Sequence, residues 1–436
     1  MNLLKEKLVS EHLLYHDGNH ATVMDSYREQ SLQAFEQLGF PHPRDEEWKY
    51  TNLREILSKD YKLQVKTDDT PQVNEVMPYL VHDIDSYNLV FVNGRFSSFL
   101  SSTTHDEADV CVMSSAMRKG MYQTVIESYY NKFARNDEHF VALNTAYAKD
   151  GAYIHIPRNT ILSKPIQIIY FSTQASEDAL YHTRNLVVVG ENSQVRIIER
   201  HRTLNSQANL TNAVSEVYLG KNSQVDWYKV QNDDMAASLI DNTFVSQERD
   251  STASFHTFSM AGNIIRNGLN FKQLGENCNS ILKGISLGRD NMLIDHHTQV
   301  EHISPNCESH ELYRTVLDDN SKGVFNGKVI VEPQAQKIDA FQQNNNILLS
   351  PECSIDTKPQ LEIFADDVKC SHGCTVGQLD QEALFYLQSR GIPKKQARAL
   401  MLYAFMTDVL DTVEIPELKT RIMDIMADRL ALKLDF

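Results

Sequence analysis

Two stretches decide the fold: VGENSQVRII, residues 189–198, and LGKNSQVDWY, residues 219–228. They share G-x-N-S-Q-V, offset by 30 residues. Each sets a polar turn before a run of β-branched and aromatic residues. Weaker echoes follow in LGENCNSIL (274–282) and DDNSKGVFNG (318–327). A constant turn with variable strands, recurring at this period, marks a stacked architecture. One coil cannot bury its own inner face, so its neighbours must stack on it. A β-sandwich, with turns every 8–12 residues, is the alternative; the repeat period favours the solenoid. No strict six-residue pattern of a left-handed solenoid is present. QQNNNILLS (342–350) could supply an asparagine ladder between coils.

Working outward, residues 151–380 hold short strand-like runs: AYIHIP, PIQIIYF, NLVVVG, VRIIER, VDWYKV and KVIVEP. Residues 1–150 read as mainly helical. Met24, Tyr27, Leu32, Phe35 and Leu38 recur at helical spacing, as do Tyr122, Val125, Ile126 and Tyr129. NLVFVNGRF (88–96) interrupts them as strand, turn, strand. Residues 381–436 return to helix. EALFYLQSRG ends on Gly391, a suitable residue beyond a helix C-terminus, and Pro393 suits the start of the next helix. That helix places Ala397, Leu400, Met401, Ala404 and Phe405 on one face; the last, from Pro416, carries Ile422, Ile425, Met426 and Leu430. These stripes either cap the solenoid or offer a groove to a partner. A cap is expected, because an open solenoid end exposes unpaired strand edges.

The net charge of −16 argues against nucleic acid and anionic membranes as partners. The first residues lack a signal-peptide pattern, and the apolar run ALMLYAFM (399–406) is too short to cross a bilayer. A cytoplasmic protein is expected. The six cysteines are sparse and form no CxxC, so neither a disulfide framework nor a zinc ribbon is indicated.

No nucleotide-binding loop is present: in GVFNGKV (323–329) the spacing is short and Val329 replaces the hydroxyl that holds magnesium. GxSxG and HExxH are absent. IDHHTQVEHISPNCESHE (294–311) is the densest set of ligand-type residues. On a strand, Asp295, His297, Gln299 and Glu301 share one face, while His296, Thr298, Val300 and His302 share the other. The histidines are split, which favours a structural role. In DDVKCSHGCTVGQLD (366–380) the parity brings Cys370, His372 and Cys374 onto one face, ~7 Å apart in succession. Thiolate and imidazole suit zinc, copper(I) or iron–sulfur species. Three residues on one straight strand cannot close around one ion without a bend, which Gly373 could provide. A Cys–His nucleophilic pair and a purely structural strand remain open at this point.

DTKPQLEIFADDVKCSHGCTVGQLD (356–380) strongly resembles the signature of the SufB/SufD family of iron–sulfur cluster assembly scaffold subunits. The resemblance extends through residues 302–340 and 382–392, and PRDEEWKYTNL (43–53) resembles the family's N-terminal W-K-Y-T element. The K-C-S-H-G motif is similar to SufD-type members; SufB-type members are usually longer, with an N-terminal cysteine cluster, and here no cysteine precedes Cys111. The resemblance implies a right-handed parallel β-helix flanked by helical domains and a scaffold without enzyme activity. It implies a complex with SufB and the ATPase SufC, with sulfur supplied by a cysteine desulfurase system. The β-helix end would pair with SufB. His372 would help bind the nascent cluster there, as a metal ligand shared with the partner chain, and Cys370 is a weaker candidate. The family commonly has alanine at the position of Cys374, so no ligand role carries over: it is a small buried residue or an accessory thiol. The C-terminal helices would dock the ATPase through Arg390, Gly391, Ile392, Arg398, Leu402 and Phe405. No tightly bound cofactor is expected, only a transient cluster in the complex; the isolated chain could form a homodimer. The rivals are a polysaccharide lyase or esterase on a β-helix and a homodimeric binding module that never handles metal.

Overall fold

The computed structural model describes residues 2–15, 23–63, 73–76, 79, 84–104, 106–134, 136–173, 177–204 and 206–430. The chain alternates between two long sheets, adding one strand to each per coil, and so builds a parallel β-solenoid of about eight turns. The first sheet runs from Tyr87–Val92 and Ile166–Ser172 to Ile338–Leu348 and Val368–Gly377. The second runs from Asp109–Val112 and Ala152–Ile156 to Lys322–Val331 and Ser354–Ile363. The two decisive stretches lie on each other: Gln194 pairs with Gln224, Ile197 with Trp227 and Ile198 with Tyr228. The sequence repeat is therefore one coil.

The turn explains the motif. Asn192 and Asn222 sit at φ 57° and 54°, and Asp250, Asn277 and Asn306 repeat the conformation in later coils. Asn and Asp tolerate this left-handed region because their short side chains bond locally. The residue that follows, Ser193, Ser223, Ser251, Cys278 or Cys307, is buried. The preceding glycine is a packing requirement: a Cβ at Gly190 would lie 2.8 Å from the carbonyl oxygen of Ile156. Side-chain amides ladder between coils at this corner. Asn192 donates to Asn159 at 2.8 Å, and Asn222 donates to Asn192 at 2.9 Å. Within 342–350 Asn345 also bonds between coils, accepting from Arg314 and donating to the Thr375 hydroxyl at 2.8 Å, whereas Asn346 donates to Asn344 of its own strand and to the Thr375 carbonyl. The DDNS echo belongs to the opposite corner, where Asp319 has φ 52°.

The N-terminal end of the solenoid is closed. Arg95–Phe96 pairs antiparallel with Tyr87–Val92, and Asp109–Val112 pairs antiparallel with Ala152–Ile156. Leu89, Phe91, Ile154, Ile168 and Trp227 fill the lumen behind them. In the helix Val23–Leu38, Phe35 is buried, whereas Leu38 is exposed; the Met24 side chain lies outside the described residues. Tyr122 and Ile126 are buried in the helix Gly120–Tyr129.

The W-K-Y-T region latches the N-terminal residues to the second sheet. Trp48 lies 3.8 Å under the Arg266 guanidinium. Thr51 bonds Asp295, Glu47 meets His297 at 3.1 Å, and Glu46 pairs with Lys358 of the last coil. Arg266 and His297 hold the buried Asp295 carboxyl well below its usual range.

The C-terminal helices correct an expectation. Gln381–Ser389, Lys394–Leu410 and Pro416–Arg429 do not cap the solenoid. They lie along its flank, where Leu402, Met406, Val409, Ile422 and Ile425 cluster with Tyr228, Phe258, Ile285 and Val316. The outer face of the first sheet is rich in such side chains, and covering each stabilises the fold by about 1.5–3 kcal/mol. That demand outweighs the cost of an open end. The buried residues of Lys394–Leu410 are Ala397, Ala399, Leu402, Met406, Val409 and Leu410, so of the predicted stripe only Ala397 is buried and the face is turned: Ala404 is exposed, and Leu400, Met401 and Phe405 only partly buried. Ile422, Ile425 and Met426 are buried as predicted.

Candidate functional site

Ser354–Ile363 and Val368–Gly377 are the last strands of the two sheets. Among the described residues each pairs with its neighbour on one side only, so one row of backbone donors and acceptors is left open by them. Val368–Gly377 is mostly exposed and Ser354–Ile363 mostly half-buried; neither holds a fully buried residue, unlike the strands below them. Register decides which side chains face the lumen. Ala340, Gln342 and Asn344 are buried, and on them sit Cys370, His372 and Cys374. The three residues are therefore lumen-facing positions at an end that no further coil of the described residues covers.

The strand runs unbroken through Gly373, which pairs with Gln343. The bend that could have gathered the three residues is absent. Among the described residues no group of three or more His, Cys, Asp or Glu stands close enough to hold a metal ion. Cys370 is half-buried beside Ile338, Ala340 and Leu361, and burial pushes its thiol up. His372 is exposed. Cys374 is also exposed, which removes its reading as a small buried residue; its sulfur meets the Thr357 hydroxyl of the opposite strand at 3.1 Å. Thr357, on Phe325 in register, thus belongs to the same rim.

The histidine-rich segment is structural. Parity holds: His296 and His302 face the lumen, whereas His297 and Glu301 are partly exposed outside. His296 bonds Ser286 at 2.9 Å, and His302 bonds Ser309 at 2.9 Å. Burial pushes both imidazoles down to about 4 and keeps them neutral. Cys307 lies in the buried turn column, where its sulfur accepts the Cys278 N–H at 3.4 Å.

The residues carried over for ATPase docking divide. Arg390 and Gly391 are exposed, with the Arg390 guanidinium 5.2 Å over the Tyr386 ring. Phe385, 72% exposed, and Tyr386 extend this patch. Ile392 is partly buried, and Arg398 pairs with Asp318 at 3.2 Å. Phe405 packs under Arg314. Leu402 is 2% exposed and faces the solenoid, so it can support a docking surface but not touch a partner. Thr357, Phe385 and Tyr386 went unnoticed in the sequence; the register of Thr357 against Cys374 depends on two strands from different sheets, which local spacing does not reveal.

Comparison with known proteins fits this geometry. Residues 171–405 match the SufBD core domain of SUF-system Fe–S cluster assembly proteins, and residues 7–168 match the SufBD N-terminal region. The chain belongs to the SufBD family. A SufBD family protein of Synechocystis is 30% identical over 422 residues, spanning 94% of this chain and 92% of that protein. The iron–sulfur cluster assembly protein SufD of Escherichia coli is 29% identical, covering 92% of each chain. SufD of Bacillus subtilis is 27% identical over 92% of this chain and 93% of its own. The SufBD core match contains the whole open end and stops within the helix Lys394–Leu410. Among the described residues of this SufBD chain, no helix is long and apolar enough to cross a membrane.

Proposed function

We propose that this chain is a SufD-type, non-catalytic scaffold subunit for iron–sulfur cluster assembly. Its open end pairs with the β-helix of a SufB-type partner, and its terminal helices dock the ATPase SufC. His372 binds the nascent cluster at that junction together with groups from the partner chain; Cys370 assists. The cluster is transient cargo, with sulfur reaching the complex from a cysteine desulfurase system, and the chain alone keeps no tight cofactor. Without its partner the same edge lets two copies pair. The six free thiols suit a reducing compartment, here the cytosol.

One observation carries the reading: among the described residues the solenoid ends on two edge strands, each paired on one side only, and the lumen positions of the last one are Cys370, His372 and Cys374. Unpaired edges are templates for another chain, and three ligand-type residues on one straight strand need ligands from elsewhere. The ATPase would act through packing. Leu402 and Met406 of its docking helix cluster with Ile285, Val316 and Ile347, the last on the strand next to Val368–Gly377. Closure of the ATPase pair moves this junction only if ATP favours one arrangement of it over the other.

The test is reconstitution with SufB and SufC, wild type against His372→Ala. Full cluster assembly by the variant would end the site assignment. Removing residues 381–436 is a poor test of docking, because it would uncover the flank of the solenoid. Arg390→Glu with Phe385→Ala keeps the buried face intact and should abolish ATPase capture; retained capture refutes the docking surface.

A further inference from the structure

Where the last helix meets the first sheet, four arginines converge. Arg200 and Arg202 stand two apart on the strand Gln194–Thr203, whose Val195 and Ile197 fill the lumen; strand parity therefore turns both arginines outward, beside Ile198 of the flank cluster. On the helix Pro416–Arg429, Arg421 and Arg429 lie one turn to either side of the buried Ile425. Asn232 joins the two pairs. Its carbonyl oxygen accepts from Arg202 at 3.1 Å, and its side-chain oxygen accepts from Arg429 Nε at 3.3 Å and Nη2 at 3.1 Å. On the other side the Tyr79 carbonyl accepts from Arg200, and the Arg202 guanidinium lies 4.7 Å over the Tyr79 ring.

Every one of these acceptors is neutral. The buried Arg184 and Arg266 pair with Glu216 and Asp295; among the described residues none of the four converging arginines forms an ion pair. Arg200 is 8% exposed and set between Ile169 and Val230. Arg202 Nε is buried with no hydrogen-bond partner among the described residues. Buried charges are normally paired. Burial, with the charges of Arg421 and Arg202, pushes Arg200 down to about 10. Burial, Arg202 and Arg289 push Arg429 down as well, against the weaker pull of Asp290 and Asp428. Asp233, beside Asn232, is buried and accepts from the Thr203 and Asp234 N–H groups. A chain of net charge −16 thus gathers repelling cations at one place and leaves them uncompensated.

We propose that Arg200, Arg202, Arg421 and Arg429 form an oxyanion site for a phosphate or phosphoryl group, held between the last helix and the first sheet. Charge and shape select the ligand. A guanidinium fork matches phosphate oxygens in pairs. A carboxylate brings one negative charge and two oxygens, whereas a phosphate monoester brings about −1.5 to −2 near neutrality and three free oxygens. Arg200 and Arg202 supply the floor; Arg421, exposed at the rim, leaves the site open to solvent. The bound anion replaces repulsion between helix and sheet by charge-assisted hydrogen bonds to both. Occupancy therefore fastens the helix whose Ile422, Ile425 and Met426 pack on the flank.

The test uses the full chain with inorganic phosphate as probe. Sodium chloride at equal ionic strength is the control, because salt alone screens the repulsion among the arginines. Calorimetric titration should show saturable phosphate binding, and phosphate should raise the thermal midpoint, as a ligand of the folded state does; chloride should do neither. Arg202→Gln should weaken phosphate binding about tenfold, the effect of one charged hydrogen-bonding group. Arg421→Gln, at an exposed position, should weaken it severalfold, and Arg249→Gln, exposed outside the cluster, should leave it unchanged. Amide exchange within Pro416–Arg429 should slow with phosphate in the wild type and not in Arg202→Gln. Phenyl phosphate separates the sources of the anion: tighter binding than inorganic phosphate assigns the site to the phosphoryl group of a larger molecule, weaker binding to free phosphate. No stabilisation by phosphate beyond that by chloride overturns the proposal. So does binding that survives in both Arg202→Gln and Arg421→Gln, which would leave the arginines as links to Tyr79 and Asn232. If Arg202→Gln fails to fold, Arg421→Gln decides alone.

Discussion

The two ends of the solenoid are built from the same coil and finished in opposite ways. At the N-terminal end, antiparallel strands close the sheets over an apolar lumen holding Phe91, Ile154 and Trp227. At the C-terminal end the sheets stop at bare edges, and the lumen carries Glu311, Gln342, Asn344, Cys370 and His372. The helices that could have covered this end lie along the flank instead. Closure serves folding; an open, polar end weakens folding and makes sense only if something else completes it. A site can therefore be recognised by what its fold leaves unfinished.

The sharpest way to break this contrast is to remove apolar bulk at each end. Phe91 is 1% exposed and stacks on Tyr170 at 5.0 Å. Phe91→Ala should cost about 3–5 kcal/mol in urea unfolding, through lost burial and the cavity left. Val376, half exposed on the last strand, should tolerate Ala within about 0.5 kcal/mol. Equal losses at both ends would contradict the contrast.

Next in size is the pH dependence of Glu311. A carboxyl whose folded-state pKa is raised costs stability above its unfolded value, and the cost grows until pH passes the folded value, here about 7. Glu311→Gln removes that cost. Near pH 4 the two proteins should be equally stable; by pH 8 the variant should be more stable by about 3 kcal/mol. A difference that does not change with pH would show that Glu311 is not a buried carboxyl of this kind.

A turn shared by the whole solenoid gives a smaller effect. Asn222→Ala puts a residue without a bonding side chain at φ 54° and cuts the ladder to Asn192, costing about 1–2 kcal/mol in thermal or urea unfolding. Smallest for stability is Val376→Lys. It should leave unfolding unchanged within about 0.5 kcal/mol yet weaken capture of a SufB-type partner, as charge blunts an exposed edge. Undiminished capture would move the interface elsewhere.

Much of this was legible in the sequence, for a physical reason. The G-x-N-S turn reports backbone conformation and coil packing at once, so the repeat at 189–198 and 219–228 reveals the coil. Strand parity separated His296 from His297 and united Cys370 with His372, because side chains alternate whatever the tertiary context. Where the last helices would lie was not legible. Periodicity shows that the helix Lys394–Leu410 has an apolar face but not what it covers, and a wide stripe of Ala, Leu and Met left its rotation open. Nor could sequence spacing bring Glu311 beneath His372, since that column joins residues 61 positions apart.

The central claim is that the open end is completed by a partner chain. Hydrogen exchange of the amides in residues 354–363 and 368–377 tests it most directly, with the chain alone and with a SufB-type partner. The account predicts fast exchange at the free edges alone and strong protection of both strands in the complex, while the strands of the closed end stay unchanged. Unaltered exchange in both last strands, in a complex shown to have formed, would contradict it.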